Sequence, residues 1–127
     1  QHFFKDHLDK KKSFMENIIY QAHKIIKDII YKSYPDHIIL DKNNYSIIDK
    51  NKKIYWIINE LDGKNNFSKY LPHFCISIAI IIKGITEISV IYDPIKNDLF
   101  TAVKGHGSQL NGYRIRCTNT NTLESIV

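Results

Sequence analysis

Apolar residues in the first quarter of the chain recur at helical spacing. Phe14, Ile18, Ala22, Ile25, Ile26 and Ile29 follow steps of three and four, which gather side chains on one face of an α-helix. Lysines fill much of the other face. Ser13-Phe14-Met15-Glu16 predicts the helix start. There the Ser hydroxyl and the Glu carboxylate would each satisfy a free backbone N–H, as a capping box does. Pro35 predicts the end near Ser33, because the residue before a proline avoids the α region. The segment Gln1 to Lys12 then reads as a charged lead.

Beyond Pro35 the pattern changes to short apolar runs cut by turn residues. His37 to Leu40 and Ile54 to Ile58 are candidate strands, separated by a polar loop from Asp41 to Lys53. Cys75 to Lys83 is almost wholly apolar, as expected of a strand covered on both faces. Lys83-Gly84 reads as a tight turn into Ile85 to Tyr92, where a two-residue period puts Thr86, Ile88, Val90 and Tyr92 on one face. Asp93-Pro94 and Asn97-Asp98 are turn signals, and Leu99 to Val103 is a further strand. Gly105, Gly107, Asn111 and Gly112 mark more turns. One helix followed by consecutive antiparallel strands predicts an α+β layered fold, the helix packed on the sheet.

Composition refines this picture. The chain has 127 residues, 43% of them apolar, enough for a single cored domain and unlike a disordered chain. No apolar run approaches the ~20 residues that span a bilayer, and the lead segment lacks the apolar core of a signal peptide. No membrane partner is expected. Cys75 and Cys117 are far apart with no ligand spacing, which predicts a reducing cytoplasm and no disulfide framework. The net charge is +5. Heavy use of Ile, Lys and Asn, all read from A/T-rich codons, accounts for the lysines without a nucleic-acid partner, so direct nucleic-acid binding is not expected.

The chemically informative stretch is Trp56-Ile57-Ile58-Asn59-Glu60-Leu61-Asp62-Gly63-Lys64-Asn65-Asn66-Phe67. It is an apolar strand entering an acidic turn, a glycine and the start of a short helix. Such a turn can aim side-chain oxygens at a cation and backbone N–H groups at a phosphate. A lone Asp-Gly after a strand is more often only a turn. The wider pattern adds specificity. Trp56, Ile57, Ile58, Leu61, Asp62, Gly63, Asn66 and Phe67 match the W-[IV]-I-D-P-[LI]-D-G-T-T-N-F signature of the inositol monophosphatase family. Leu71-Pro72-His73-Phe74, Ser77-Ile78-Ala79, Tyr92-Asp93-Pro94, Leu99-Phe100-Thr101-Ala102 and Gly105 to Arg114 continue the likeness. From about Ser13 onward the chain resembles that family, in wording nearest its bacterial SuhB type.

The resemblance implies the N-terminal half of the family's layered sandwich, so that residues 1–127 form one incomplete domain. It also implies descent from a Mg²⁺-dependent phosphate-monoester hydrolase acting on inositol 1-phosphate. In the family, carboxylates hold Mg²⁺ ions that clamp the phosphate and generate the attacking hydroxide. Here Asp62 matches an acidic ligand, and Leu61 can offer its backbone carbonyl. Asn59 stands at a ligand aspartate and Lys42 at a ligand glutamate. Glu60 replaces a proline. Lys64 replaces the threonine that helps orient the attacking water, and Asn65 replaces the next threonine. Gly63, Lys64 and Asn65 occupy the substrate-phosphate positions, and Ser13 stands where an aspartate is usual.

These exchanges shift the local charge by about four units towards positive. One like-charge pair at ~5 Å with an effective dielectric of ~20 costs roughly 3 kcal/mol, so Lys42 and Lys64 disfavour Mg²⁺. The expectation is a catalytically silent or strongly impaired relative. One alternative is a non-catalytic role of the Nus-factor kind in ribosomal RNA transcription, with NusA or RNA polymerase as partners. Another is residual phosphatase activity on inositol 1-phosphate. A third is metal-free phosphate binding by Lys42, Lys64 and the amides after Gly63. Dimers occur in the family. Cys75 and His73 read as structural, and His2, His7, His23, His37 and His106 show no ligand spacing.

Overall fold

The computed structural model describes residues 2–41 and 53–119. Helix α1 runs His2–Ser33 and is followed by strands β1 (Ile38–Asp41) and β2 (Ile54–Asp62). A short helix α2 (Lys64–Ser68) leads to β3 (Cys75–Ile82), β4 (Ile85–Asp93), β5 (Asp98–Val103), β6 (Gly107–Leu110) and β7 (Tyr113–Ile115). The seven strands form one sheet in chain order, β1 to β7. The predicted α+β fold with a helix on a sheet is present, with four differences.

The first concerns the helix start. The helix runs through Ser13 instead of beginning there. Residues 2–12 contain no Gly or Pro, so nothing breaks the helix ahead of the Ser-x-x-Glu pattern. Inside a helix the nearby N–H groups already have partners, and a capping box has nothing to cap.

The second concerns which face is buried. Phe14, Ile25 and Ile29 were expected on the core face, yet they are 64%, 58% and 63% exposed. The stripe turned inward is Met15, Ile19, Ala22, Ile26 and Ile30, of which Ile30 is buried and the others half-buried. Apolar residues occupy two adjoining stripes, and spacing alone does not choose between them.

The third is that the sheet is mixed. β1 pairs parallel with β2, Ile38 facing Tyr55 and Leu40 facing Ile57, while all later pairs are antiparallel. A parallel pair needs a connection of roughly a dozen residues or more, and the stretch 42–53 is long enough. The polar loop expected there lies almost wholly outside the described residues.

The fourth is a bulge at Glu87. Ile80 faces Ile88 but Ile81 faces Thr86, so two positions on β4 oppose one step on β3. Thr86 is thereby moved to the opposite face from Ile88, Val90 and Tyr92.

The sheet has two unlike faces. α1 packs against β2, with Ile26, Ile30 and Tyr34 beside Trp56 and Ile78. The other face carries Leu40, Tyr55 and Ile81, all buried, with Ile38 and Ile57 against them. At the end of α1 the Trp56 indole N–H donates to His37 Nδ1 at 2.9 Å. The Tyr34 ring stacks on His37 with centroids 4.7 Å apart. This aromatic group ties the helix C-terminus to β2 at Trp56, three residues before Asn59. Among the described residues no helix is long and apolar enough to cross a membrane.

Candidate functional site at the end of β2

β2 reaches the acidic turn through an irregularity. Asn59 pairs with Ser77, the register then shifts, and Asp62 pairs with Cys75. Gly63 follows with φ 85° and ψ 34°, and α2 begins at Lys64. Only glycine serves at this position. Its φ is left-handed, and a Cβ there would sit 2.8 Å from the His73 carbonyl oxygen. That distance is well inside van der Waals contact, so the turn requires both the conformation and the missing side chain.

The residues after Gly63 lock the turn together. Phe67 N–H donates to the Gly63 carbonyl at 3.0 Å. The Asn66 side-chain amide donates to the His73 carbonyl at 2.8 Å, and the Asn66 carbonyl accepts from Leu71 N–H at 2.9 Å. Phe67 meets Phe74 edge to face, with ring centroids 5.0 Å apart. Asn66 and Phe67, which match the family signature, therefore hold the chain from α2 to β3.

The candidate chemical positions are arranged differently. Asp62 is exposed, and its Oδ1 accepts from its own neighbour, Gly63 N–H, at 3.2 Å. Leu61 is buried at 5% exposure. Lys64 and Asn65 are exposed, and the Asn65 carbonyl accepts from Ser68 Oγ at 2.9 Å. Asn59 is half-buried and lines a hollow with Ile57, Ser77 and Ser89. Asp62 and Gly63 line a neighbouring cleft of about 410 Å³ with Asn66, Cys75 and Asp93. The two hollows share Ile91. Lys42 lies outside the described residues.

Two features escaped the sequence reading. Glu60, which could have replaced a lost carboxylate, turns away from the cleft to contact His23 Nδ1 on α1. The pair is 37 residues apart in sequence, so no local spacing announces it. Asp93, expected only as a turn residue, joins Asp62 and Cys75 in the cleft. It does keep the turn role, because its Oδ1 accepts from Ile95 and Lys96 N–H at 2.9 and 3.1 Å. The Asp62 pairing explains the placement. Asp62 faces Cys75, and β4 runs beside β3 so that its last residue ends near the same point.

Cys75 holds its proton more tightly than an ordinary thiol. Its pKa is raised above the ordinary 9.0, first by burial and then by the negative charges of Asp62 and Asp93. Desolvation and like charge both disfavour the thiolate, which makes it a poor nucleophile and a poor ligand for a hard cation.

Among the described residues this donor set does not fit Mg²⁺. The ion needs several oxygen ligands, with carboxylates among them. Asp62 and Asp93 are the carboxylates of the cleft, and an oxygen of each already accepts from backbone N–H groups. Asn59 is neutral, Glu60 is committed to α1, and Lys64 brings positive charge to the turn. Among the described residues no three His, Cys, Asp or Glu side chains are placed to hold a metal.

The likeness to known proteins extends beyond this turn. A "Nus factor SuhB" of Buchnera aphidicola (subsp. Schizaphis graminum) is 68% identical over 123 residues, 97% of this chain and 45% of that protein. The chain thus spans under half the length of this relative. A crystal structure of the SuhB protein of Bartonella henselae superposes with a TM-score of 0.79 at 33% identity, over 88% of this chain and 47% of that one. A Ca²⁺-bound IMPase-family protein from Staphylococcus aureus gives a TM-score of 0.71 at 25% identity, over 79% of this chain and 38% of that one. Family structures thus include one with a divalent cation bound. The description "Inositol monophosphatase family" matches residues 3–127, and the chain belongs to that family.

Proposed function

We propose that this chain is a SuhB-like member of the family in which hydrolysis of inositol 1-phosphate is lost or strongly impaired. The observation that carries this reading is the fate of the groups around Asp62. The position three residues before it is a neutral amide, Asn59. Of the two other carboxylates nearby, Glu60 is bound to His23 and Asp93 accepts from the backbone N–H groups of its own turn. The first residue of α2 is the cation Lys64. Removal of single electrostatic groups from an active site costs ~10²-fold or more in rate, and here several have changed together. Phosphate release from inositol 1-phosphate, measured with Mg²⁺ and with EDTA beside an active relative, tests the reading. Release at background is expected. Chelator-sensitive turnover overturns it.

A second reading is favoured by the relatives. The 68%-identical Buchnera protein is described as a Nus factor, which points to a role with the transcription machinery that has no need of the cation site. Co-purification of the chain with NusA or RNA polymerase is the expected result, and its absence under conditions where a full-length relative binds removes this reading.

A further inference from the structure

Asn111 and Gly112 are the only Asn-Gly pair in the sequence. They form the two-residue turn between β6 and β7, with φ 50° and 83°. Two successive left-handed residues make the hairpin turn in which Asn followed by Gly is the preferred pair. Asn-Gly is also the dipeptide most prone to lose ammonia. Glycine has no side chain to hinder attack of its backbone nitrogen on the preceding carboxamide.

The fold engages that carboxamide at both ends. Asn111 Oδ1 accepts from Leu99 N–H at 2.8 Å, and Asn111 Nδ2 donates to Asp98 Oδ1 at 3.0 Å. Asn111 N–H donates to the Leu99 carbonyl at 2.8 Å. The side chain thus carries the β5–β6 ladder one step past its last pair, Phe100 and Leu110. Its oxygen does the work of a backbone carbonyl. Attack by the Gly112 nitrogen closes a five-membered ring, and for that the carboxamide must leave β5 and the turn must open.

We propose that Asn111 is a site of spontaneous deamidation, closed by its clamp to β5 in the folded chain and released when β6 and β7 part from β5. In the open state the Gly112 nitrogen gives its proton to solvent and attacks Asn111 Cγ. The new N–Cγ bond forms as the Cγ–Nδ2 bond breaks, and Nδ2 takes up a proton and leaves as ammonia. Water then adds to one of the two carbonyls of the succinimide ring and breaks that carbonyl's bond to nitrogen. One opening leaves Asp and the other isoAsp, with no change of oxidation state.

Neither product restores the clamp. A carboxylate has no hydrogen to give Asp98 and sets a like charge against it. IsoAsp also adds a carbon to the backbone of a turn whose length fixes the register of the hairpin. The reaction therefore marks, irreversibly, chains whose β6–β7 edge has opened. These strands have four and three residues and are largely exposed, and such an edge opens at less cost than the middle of a sheet. The inference does not depend on the state of the cation site.

The test is incubation of the chain at neutral pH, in buffer and in urea that unfolds it. Peptide mapping by mass spectrometry follows Asp and isoAsp at position 111. A peptide of residues 108–115 in the same two solutions sets the effect of urea on the chemistry itself. One ordinary hydrogen bond lowers the open fraction about fivefold. With two bonds on the carboxamide, loss of Asn111 is expected to be at least about thirtyfold slower in buffer than in urea. In the unfolded chain it should precede loss at every other Asn. Asp98→Ala removes the Nδ2 acceptor and should speed the reaction in buffer about fivefold. Asp98→Asn keeps an oxygen there and should leave the rate unchanged. Both variants lose the same charge, so the pair separates the hydrogen bond from electrostatics. Equal rates in buffer and urea, earlier loss at another Asn, no acceleration in a folded Asp98→Ala chain, or equal acceleration in both variants each overturn the proposal. If circular dichroism shows Asp98→Ala unfolded, the two rates of the parent chain decide.

Discussion

The acidic turn contains two kinds of position, and they have fared differently. Trp56, Gly63, Asn66 and Phe67 keep the family's residues, and each has a mechanical duty: an indole bond to His37, a close approach to His73, an amide bond to the same carbonyl, an edge-on ring contact. Asn59, Glu60 and Lys64 depart from the family's residues, and in the structure they are respectively half-buried beside a hollow, bound to α1, and exposed. A fold can lose charged groups at its surface for little free energy, whereas the residues that close a turn have no substitutes. The comparison teaches that the residues which hold a signature's backbone can stay fixed while its charged positions change.

Gly63→Ala is the harshest way to probe the mechanical set. A left-handed φ and a Cβ against a backbone oxygen should together cost about 3 kcal/mol, read as a lower midpoint in urea unfolding. Asn66→Ala should cost about 1–2 kcal/mol, because the His73 carbonyl loses its donor. A loss as small as that of a surface substitution at either position would erase the contrast drawn above.

The chemical set should behave oppositely. Asn59→Asp with Lys64→Thr should change stability by less than about 0.5 kcal/mol, as expected away from packed contacts. The same pair should raise Ca²⁺ or Mn²⁺ affinity measurably in calorimetry, since it restores about two units of negative charge. Lys64→Ala should abolish any phosphate binding that survives chelation. Binding unaffected by this change would exclude Lys64 as an anion ligand.

The smallest effect is in the thiols. Cys117 is exposed and Cys75 is half-buried. With its pKa raised above 9.0, Cys75 remains protonated at a pH where an ordinary thiol has begun to ionise. Any stability tied to that proton is whole below about pH 9 and is lost as the pH climbs through the higher folded value. Iodoacetamide at pH 8 should therefore label Cys117 first, as read by mass spectrometry. Equal rates would mean that burial and the charges of Asp62 and Asp93 do not act on the Cys75 thiol as described.

The strands from Ile54 to Val103 were legible because apolar runs and Gly, Asn and Asp turns alternate strongly there, although β2 runs on to Asp62, through the polar residues that read as a turn after Ile58. β6 and β7 were not, since Gly107–Leu110 and Tyr113–Ile115 are short and largely exposed and leave no periodic signal. Ser13-x-x-Glu16 mimicked a helix start because a cap is defined by what precedes it as much as by its own residues. The buried face of α1 was misjudged because Phe14, Ile25 and Ile29 continue the apolar stripe beyond what one sheet can cover. At the site, the identities of Asn59, Asp62 and Lys64 were readable by resemblance. The diversion of Glu60 to His23 and the arrival of Asp93 were not, because both depend on contacts between distant segments.

The sheet's order also bears on how the polypeptide assembles. Each strand's neighbour in space is its neighbour in sequence, so from β3 to β7 every pairing closes a short loop, and such loops form in microseconds. The β1–β2 and β2–β3 connections, 42–53 and 63–74, are longer and of equal length. Local contacts of this kind favour fast folding. The meander can grow strand by strand as residues leave the ribosome, with the acidic turn formed once β3 has joined β2.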